Sequence, residues 1–133
     1  MSYEKECKCK KCIDLCLYRP CWGTPEEIKI IIDSGFGRKL MIDYWVGDND
    51  TTYLLSPAIV GRERRQAPFI PCGPCVFLTE DNLCEIHHIK PHEGKYGYGC
   101  DKEDSKLLSH EEVAKTWDNE FGQKLIEQWK EKY

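Results

Sequence analysis

The chain of 133 residues lacks a long apolar segment and has no excess of basic charge. Its longest apolar stretch, Ile28 to Ile32, is interrupted by Lys29 and is far shorter than the roughly 20 residues that span a bilayer. Met1 to Lys11 is charged and has no apolar core of the kind found in secretory signals, so we expect a cytoplasmic protein outside the membrane. The formal net charge of −4 provides no general attraction to nucleic acid.

Large aliphatic side chains are also scarce. Apolar residues make up 41% of the sequence, but that figure includes nine cysteines and seven tyrosines. A chain of this length forms one domain by the usual size relation, and no internal repeat divides it. A structural zinc ion contributes on the order of 10 kcal/mol to the folding of a small domain, which exceeds the net stability of many domains. We therefore expect the metal-free chain to be partly unfolded.

Cysteine is absent from residues 22–71, and all nine cysteines flank this gap. The first group is Cys7, Cys9, Cys12, Cys16 and Cys21, and the second is Cys72, Cys75, Cys84 and Cys100. In a reducing compartment, closely spaced thiols ligate metal more often than they form disulfides. The odd number argues further against a complete set of disulfides, and the clustering beside Gly, Pro and Lys argues against inert core cysteines.

Zinc takes four ligands in a tetrahedron, with sulfur at about 2.3 Å, and thiolates separated by two residues reach one ion from a tight turn. The spacing allows one site from Cys72, Cys75, Cys84 and Cys100, another from Cys9, Cys12, Cys16 and Cys21, or a mixed site that joins N-terminal thiols to Cys75 and Cys84. An iron–sulfur cluster also needs about four thiolates, but the N-terminal spacing differs from that of bacterial ferredoxins. Zinc is the first expectation and an iron–sulfur cluster the alternative.

The sequence gives weaker support to thiol redox exchange and to nucleophilic catalysis than to metal binding. Cys72-Gly73-Pro74-Cys75 matches the thioredoxin active-site tetrapeptide, but the following Val76 to Thr79 predicts a strand rather than the helix that activates the thiol. No base beside a nucleophile is recognisable, and Asp43 is interpreted as an acidic position near a turn. Whether the chain is an enzyme stays open, with no catalytic residue assigned.

Arg62, Arg64 and Arg65 form a local basic group, interpreted as a solvated loop because the chain is acidic and no stacking platform is evident. The histidines are weaker ligand candidates than the thiols. A further alternative is a protein-interaction module that binds a partner through this loop or through a C-terminal helix.

The predicted architecture is α+β, with a β-hairpin, two main helices and irregular metal-stapled loops. One domain covers residues 1–133, with cysteine clusters at 1–22 and 72–100 and a C-terminal helix at 109–131. Thr24, Pro25 and Glu27 predict a capped helix start, and the helix continues to about Ser34 before Gly35.

A second capping box, Ser109 with Glu112, predicts a helix from about His110 to Lys130. Its apolar stripe is expected to pack on the domain, and consists of Val113, Trp117, Phe121, Leu125 and Trp129.

The region between the helices predicts the strands. Lys39 to Trp45 fits a short helix or a strand, Gly47 to Asp50 predicts a turn, and Thr51 to Val60 predicts a strand broken by Pro57. Gly61 to Pro71 is interpreted as a loop. The predicted hairpin joins Cys75–Thr79 to Leu83–His87.

A family resemblance begins at Cys75. Cys75-Val76-Phe77-Leu78 is followed by Cys84-Glu85-Ile86-His87 and then by Lys90-Pro91. This pattern resembles the second half of the YkgJ-type cysteine-cluster proteins. The resemblance implies a zinc- or iron-chelating domain, whose first cluster, written CxxCxxCC, is represented here by the more widely spaced Cys12, Cys16 and Cys21.

The sequence departs from the family pattern again after the Lys-Pro pair. Where many relatives have a cysteine three residues after the Lys-Pro pair, this chain has Gly94, and Cys100 is the next thiol. A flagellin lysine N-methylase is similar to the family, which implies an iron–sulfur enzyme or electron carrier as an alternative function.

Overall fold

The computed structural model of the chain describes residues 21–67, 73–80, 84–86, 89 and 109–133. Its helices and strands are α1 (Pro25–Ile31), β1 (Leu40–Val46), β2 (Thr51–Pro57), α2 (His110–Lys115) and α3 (Glu120–Lys132). One antiparallel hairpin packed with helices is an α+β architecture, as the sequence predicts. Within the described residues, no helix is long and apolar enough to cross a bilayer.

Helix α1 begins as the sequence predicts. The Glu27 N–H donates to the Thr24 hydroxyl at 3.4 Å, and the Glu27 carboxylate accepts from the Thr24 N–H at 2.9 Å. Pro25 occupies the first turn, where its missing N–H has no helical partner to lose. After Ile31 the chain continues through a π-helical turn, Ile32–Phe36, in which Gly35 has a φ of 96° and ends the regular helix.

The hairpin joins a segment that the sequence left undecided between helix and strand to a predicted turn and a predicted strand, which ends at Pro57 rather than Val60. Leu40 pairs with Pro57 and Val46 with Thr51, and the predicted turn is closed by the Gly47 N–H, which donates to the Asp50 carbonyl at 2.8 Å. Successive strand side chains face opposite sides of a sheet. Leu54 and Leu55 on β2 are both fully buried, so this part of the hairpin is covered on both faces. The segment that the sequence left undecided between helix and strand forms β1.

The other edge of β1 is covered by the polar segment that the sequence predicts as a loop. The Ile42 N–H donates to the Arg65 carbonyl at 2.9 Å, and the Ala67 N–H donates to the Ile42 carbonyl at 2.8 Å. Gln66 forms a parallel bridge with Ile42. The segment remains irregular, but its backbone is bonded to the sheet.

The predicted hairpin at Cys75–Thr79 and Leu83–His87 is described only in part, because residues 81–83 and 87 lie outside the described residues. In the described part of this region, only Leu78 and Cys84 form an antiparallel bridge, and the Glu85 N–H donates to the Phe77 carbonyl at 2.8 Å. The first arm is a turn, closed by the Leu78 N–H on the Cys75 carbonyl at 3.1 Å. The described residues of the first arm are therefore a turn with isolated bridges at Cys75 and Leu78 rather than a strand.

The predicted C-terminal helix is divided into α2 and α3. The Asn119 side chain accepts from the Gly122 N–H at 2.8 Å and begins a new helix, while the Thr116 hydroxyl bonds the Val113 carbonyl at 2.6 Å. Such short polar side chains compete with the helical backbone for its own hydrogen bonds. The break interrupts the predicted stripe, since Trp117 is fully buried but Phe121 is 40% exposed.

Two buried indoles join the C-terminal helices to the two ends of the α1 region. The Trp117 Nε1–H donates to the Gly23 carbonyl at 2.8 Å, and the Trp129 Nε1–H donates to the Gly37 carbonyl at 2.7 Å. Both tryptophans belong to the main apolar cluster, which also contains Ile28, Leu40, Leu54, Phe77 and Ile86. Three segments distant in sequence thus share one core.

Candidate metal centre

Three of the eight predicted ligands lie within the described residues, namely Cys21, Cys75 and Cys84. The remaining predicted ligands, which lie outside those residues, are Cys9, Cys12, Cys16, Cys72 and Cys100. Every ligand set predicted from the sequence therefore includes at least one cysteine beyond the described part. Within that part, no three side chains of His, Cys, Asp or Glu form a group that could hold a metal ion.

Cys75 is held by pairing with the chain that follows β2. It forms an antiparallel bridge with Ile59, and on either side the Val76 N–H donates to the Ala58 carbonyl at 2.9 Å and the Val60 N–H donates to the Pro74 carbonyl at 3.0 Å. The residue is only 9% exposed. The backbone on both sides of Cys75 is therefore hydrogen-bonded to the chain after β2, while its side chain lies within the apolar cluster.

Gly73 carries the chain closely over Ile59 just before Cys75. Its φ is 151°, and a Cβ at this position would lie 2.6 Å from Cγ2 of Ile59. A larger residue would meet both an unfavourable backbone conformation and a steric overlap. Packing and backbone conformation thus explain why a glycine occupies position 73 in the tetrapeptide Cys72-Gly73-Pro74-Cys75, independently of any redox chemistry.

Cys84 approaches the same region from the other side of the turn. It is half-buried, bridges to Leu78, and packs against the apolar cluster that contains Cys75. The carboxylate of the next residue, Glu85, forms an ion pair with Lys39 Nζ at 2.8 Å. The same ammonium lies 5.7 Å from the centroid of the Phe77 ring. These contacts fix the segment of Cys84 against the beginning of β1.

Cys21 immediately precedes a buried anchor. Trp22 is 3% exposed, and its Nε1–H donates to Oδ2 of Asp43 at 2.9 Å. The Trp22 ring also meets His110 edge-on, with centroids 4.5 Å apart, and Trp45 at 6.4 Å. Cys21 is therefore the sequence neighbour of a core side chain that several partners hold in place.

The structure corrects the interpretation of Asp43. The sequence predicts an acidic position near a turn, but Asp43 lies in the middle of β1 and is 3% exposed. Its Oδ2 accepts from Trp22, and its Oδ1 accepts from the Tyr44 N–H at 2.8 Å. The signal was present in the sequence, because an acidic residue inside an otherwise apolar strand requires hydrogen-bond donors when it is buried.

The thioredoxin interpretation gains no support from the described residues. In residues 73–80 the chain after Cys75 forms a turn and a bridge rather than a helix. The helix N-terminus that lowers the pKa of a thioredoxin thiol is therefore missing at this position. His87, His88 and His92 lie outside the described residues.

Neither a scan against models of protein families nor searches of curated proteins and of solved structures found a match to this chain. The similarity to the YkgJ-type proteins therefore depends on the motif residues alone.

Proposed function

We propose that this chain is a cytoplasmic metal-binding protein of the YkgJ-type cysteine-cluster kind, in which thiolates hold zinc. One observation supports the proposal: a cysteine from each group lies in, against or next in sequence to a residue of the same apolar cluster. Cys75 and Trp22 belong to it, Cys84 packs against it, and Cys21 precedes Trp22. Its ligands would be drawn from Cys9, Cys12, Cys16, Cys21, Cys72, Cys75, Cys84 and Cys100.

The metal would act as a structural cross-link between segments that few regular elements connect. Cys75 follows Gly73 and Pro74, and both Cys75 and Cys84 take part in isolated bridges rather than strands. A tetrahedral thiolate site supplies directional bonds where hydrogen-bonded ladders are short. This role explains why scarce aliphatic side chains accompany so many thiols.

The same soft sulfur donors suit an iron–sulfur cluster. In that case the chain would be an electron carrier or an enzyme similar to flagellin lysine N-methylase. The two metal centres differ in a property that can be measured directly, because zinc thiolates are colourless and iron–sulfur clusters absorb broadly in the visible range.

Purification without oxygen, followed by elemental analysis and a visible spectrum, tests the proposal. The expected result is a colourless protein with stoichiometric zinc that loses cooperative melting when a chelator removes the metal and regains it when zinc is returned. A brown protein containing iron and sulfide would show that the cysteines hold an iron–sulfur cluster rather than zinc. A protein free of both metals that still melts cooperatively would overturn metal binding.

Cys84→Ser and Cys7→Ser form a matched pair, since Cys7 is the one cysteine that we do not include among the ligands. We expect Cys84→Ser to lower the zinc content and the melting temperature together, because a hydroxyl is a poor zinc ligand. Cys7→Ser should leave both unchanged. Full zinc content in Cys84→Ser would remove Cys84 from the ligand set.

A further inference from the structure

Residues 61–66, here named the arginine loop, present three guanidinium groups on a protein of net charge −4. Arg62, Arg64 and Arg65 are all exposed. In the described part of the chain, none of the three has an ion-pair or hydrogen-bond partner for its side chain. The loop is therefore a concentrated positive charge in a molecule that is acidic as a whole.

The backbone of the arginine loop is fixed. The Arg62 N–H donates to the Ile59 carbonyl at 2.8 Å, and the Arg65 N–H donates to the Arg62 carbonyl at 2.9 Å. The Arg64 N–H donates to the Leu40 carbonyl at the start of β1 at 2.8 Å. A surface with an ordered backbone loses less conformational freedom on binding than a flexible loop does.

Arg64 adopts a left-handed conformation, with a φ of 64°. Residues other than glycine, asparagine and aspartate rarely do so, because the Cβ crowds the backbone at a cost of roughly 1–2 kcal/mol. Glycine would serve the turn better on structural grounds alone. An arginine in this position sacrifices stability and gains an exposed guanidinium, which is typical of strain retained at functional sites.

The three arginines and Glu63 leave the loop with a net charge of +2, and within the described residues Glu63 forms no ion pair with any of the three arginines. Oε1 of Glu63 accepts from the Gly61 N–H at 2.6 Å, so the carboxylate is bound to the loop's own backbone. Beside the loop, Val60 is 58% exposed and offers a small apolar contact.

From this arrangement we propose that the arginine loop is the docking surface for an acidic segment of a partner protein. Guanidinium groups pair with carboxylates through two parallel hydrogen bonds, and three of them on a fixed backbone select a short run of Glu or Asp. Single-stranded nucleic acid fits less well, because neither the loop nor its bonded neighbours Leu40 and Ile42 carry an aromatic ring for base stacking. The proposal is independent of which metal the cysteines hold.

The test uses the metal-loaded full chain and three fluorescent probes. They are a short peptide rich in Glu and Asp around one Val, the same peptide with Gln and Asn replacing the acids, and a single-stranded oligothymidylate. The wild type should bind the acidic peptide alone. Tighter binding of the oligothymidylate would overturn the proposal in favour of nucleic acid, and no binding of the acidic peptide would overturn it outright.

Arg64→Gly separates docking from folding, because the two roles predict opposite signs. The variant should melt at a higher temperature than the wild type, since glycine accepts the positive φ, yet bind the acidic peptide about tenfold more weakly. Lys124→Gln, which removes an equally exposed positive charge from α3, should keep wild-type affinity. Equal weakening in both variants would reduce the effect to net charge and overturn a specific surface.

Discussion

The indole nitrogen of Trp22 donates a hydrogen bond to Oδ2 of Asp43 at 2.9 Å, and each residue is only 3% exposed. The contact joins the residue after Cys21 to the middle of β1, 21 positions away. A buried carboxylate requires such donors, because desolvation without them is costly. The pair therefore ties the residue that follows Cys21 to the middle of β1.

Trp22→Phe should destabilise the fold even though it keeps most of the buried ring. The change removes one donor from the Asp43 carboxylate, and weakening the hydrogen bonding of a buried charged group costs about 1–3 kcal/mol. Chemical denaturation of the metal-loaded protein measures this loss. Asp48→Asn, at an exposed position in the hairpin turn, is the control and should change the free energy of unfolding by less than about 0.5 kcal/mol. If Trp22→Phe matches that control, the hydrogen bond does not contribute to stability.

Gly73→Ala should destabilise the segment of Cys75 by more than the backbone conformation alone explains. The new Cβ would meet Cγ2 of Ile59 at 2.6 Å, whereas a Cβ on Gly61, at a φ of 95°, would meet no atom within 4 Å. Gly61→Ala therefore measures the backbone cost, of roughly 1–2 kcal/mol, and Gly73→Ala adds the overlap. The measurement is the difference in unfolding free energy, together with zinc affinity. Equal costs at the two glycines would contradict the close approach of the chain to Ile59.

Trp117→Phe and Phe121→Leu test how the predicted helical stripe is divided. Trp117 is fully buried and its Nε1–H donates to the Gly23 carbonyl at 2.8 Å, so the loss of this donor and of ring volume should cost about 2–4 kcal/mol. Phe121 is 40% exposed, and its replacement should cost less than about 1 kcal/mol. Thermal unfolding would compare the loss of stability in the two variants. A larger loss in Phe121→Leu than in Trp117→Phe would support the continuous apolar stripe predicted from the sequence.

Gly122→Ala should lower stability although alanine favours helices. In an open helix interior the change stabilises by roughly 0.5–1 kcal/mol. Here the added Cβ would lie 2.7 Å from the Trp117 carbonyl oxygen and 2.9 Å from its Cα, which are backbone atoms that cannot rotate away. We expect a net loss of about 1–3 kcal/mol by urea denaturation. Lys124→Ala, exposed two residues later, should be neutral, and a stabilised Gly122→Ala would show that the break between α2 and α3 can adjust.

The predictions from sequence succeeded where both partners of an interaction are close along the chain. The capping boxes at Thr24 and Ser109 each join residues three positions apart, and the Gly47 to Asp50 turn closes on itself. Such signals are readable because the hydrogen bond and its donor residue occupy the same few positions. The cysteine groups are equally visible, although their ligand role stays a prediction.

Other features depended on partners that local patterns do not reveal. The strand β1 (Leu40–Val46), the burial of Asp43 and the exposure of Phe121 follow from what the rest of the chain packs against them. The turn after Cys75, where the sequence predicts a strand, likewise lies between bridges to Ile59 and Cys84 that local patterns do not reveal.

By itself, the sequence determined where two helices begin, where the hairpin turns and how the thiols are spaced, because each of these depends on neighbours within a few residues. Only the tertiary structure decided that Trp117 would reach Gly23, 94 positions away, and that Trp22 would hold Asp43 inside the sheet. Such contacts are selected by the shape and burial of the completed core, to which every segment contributes at once.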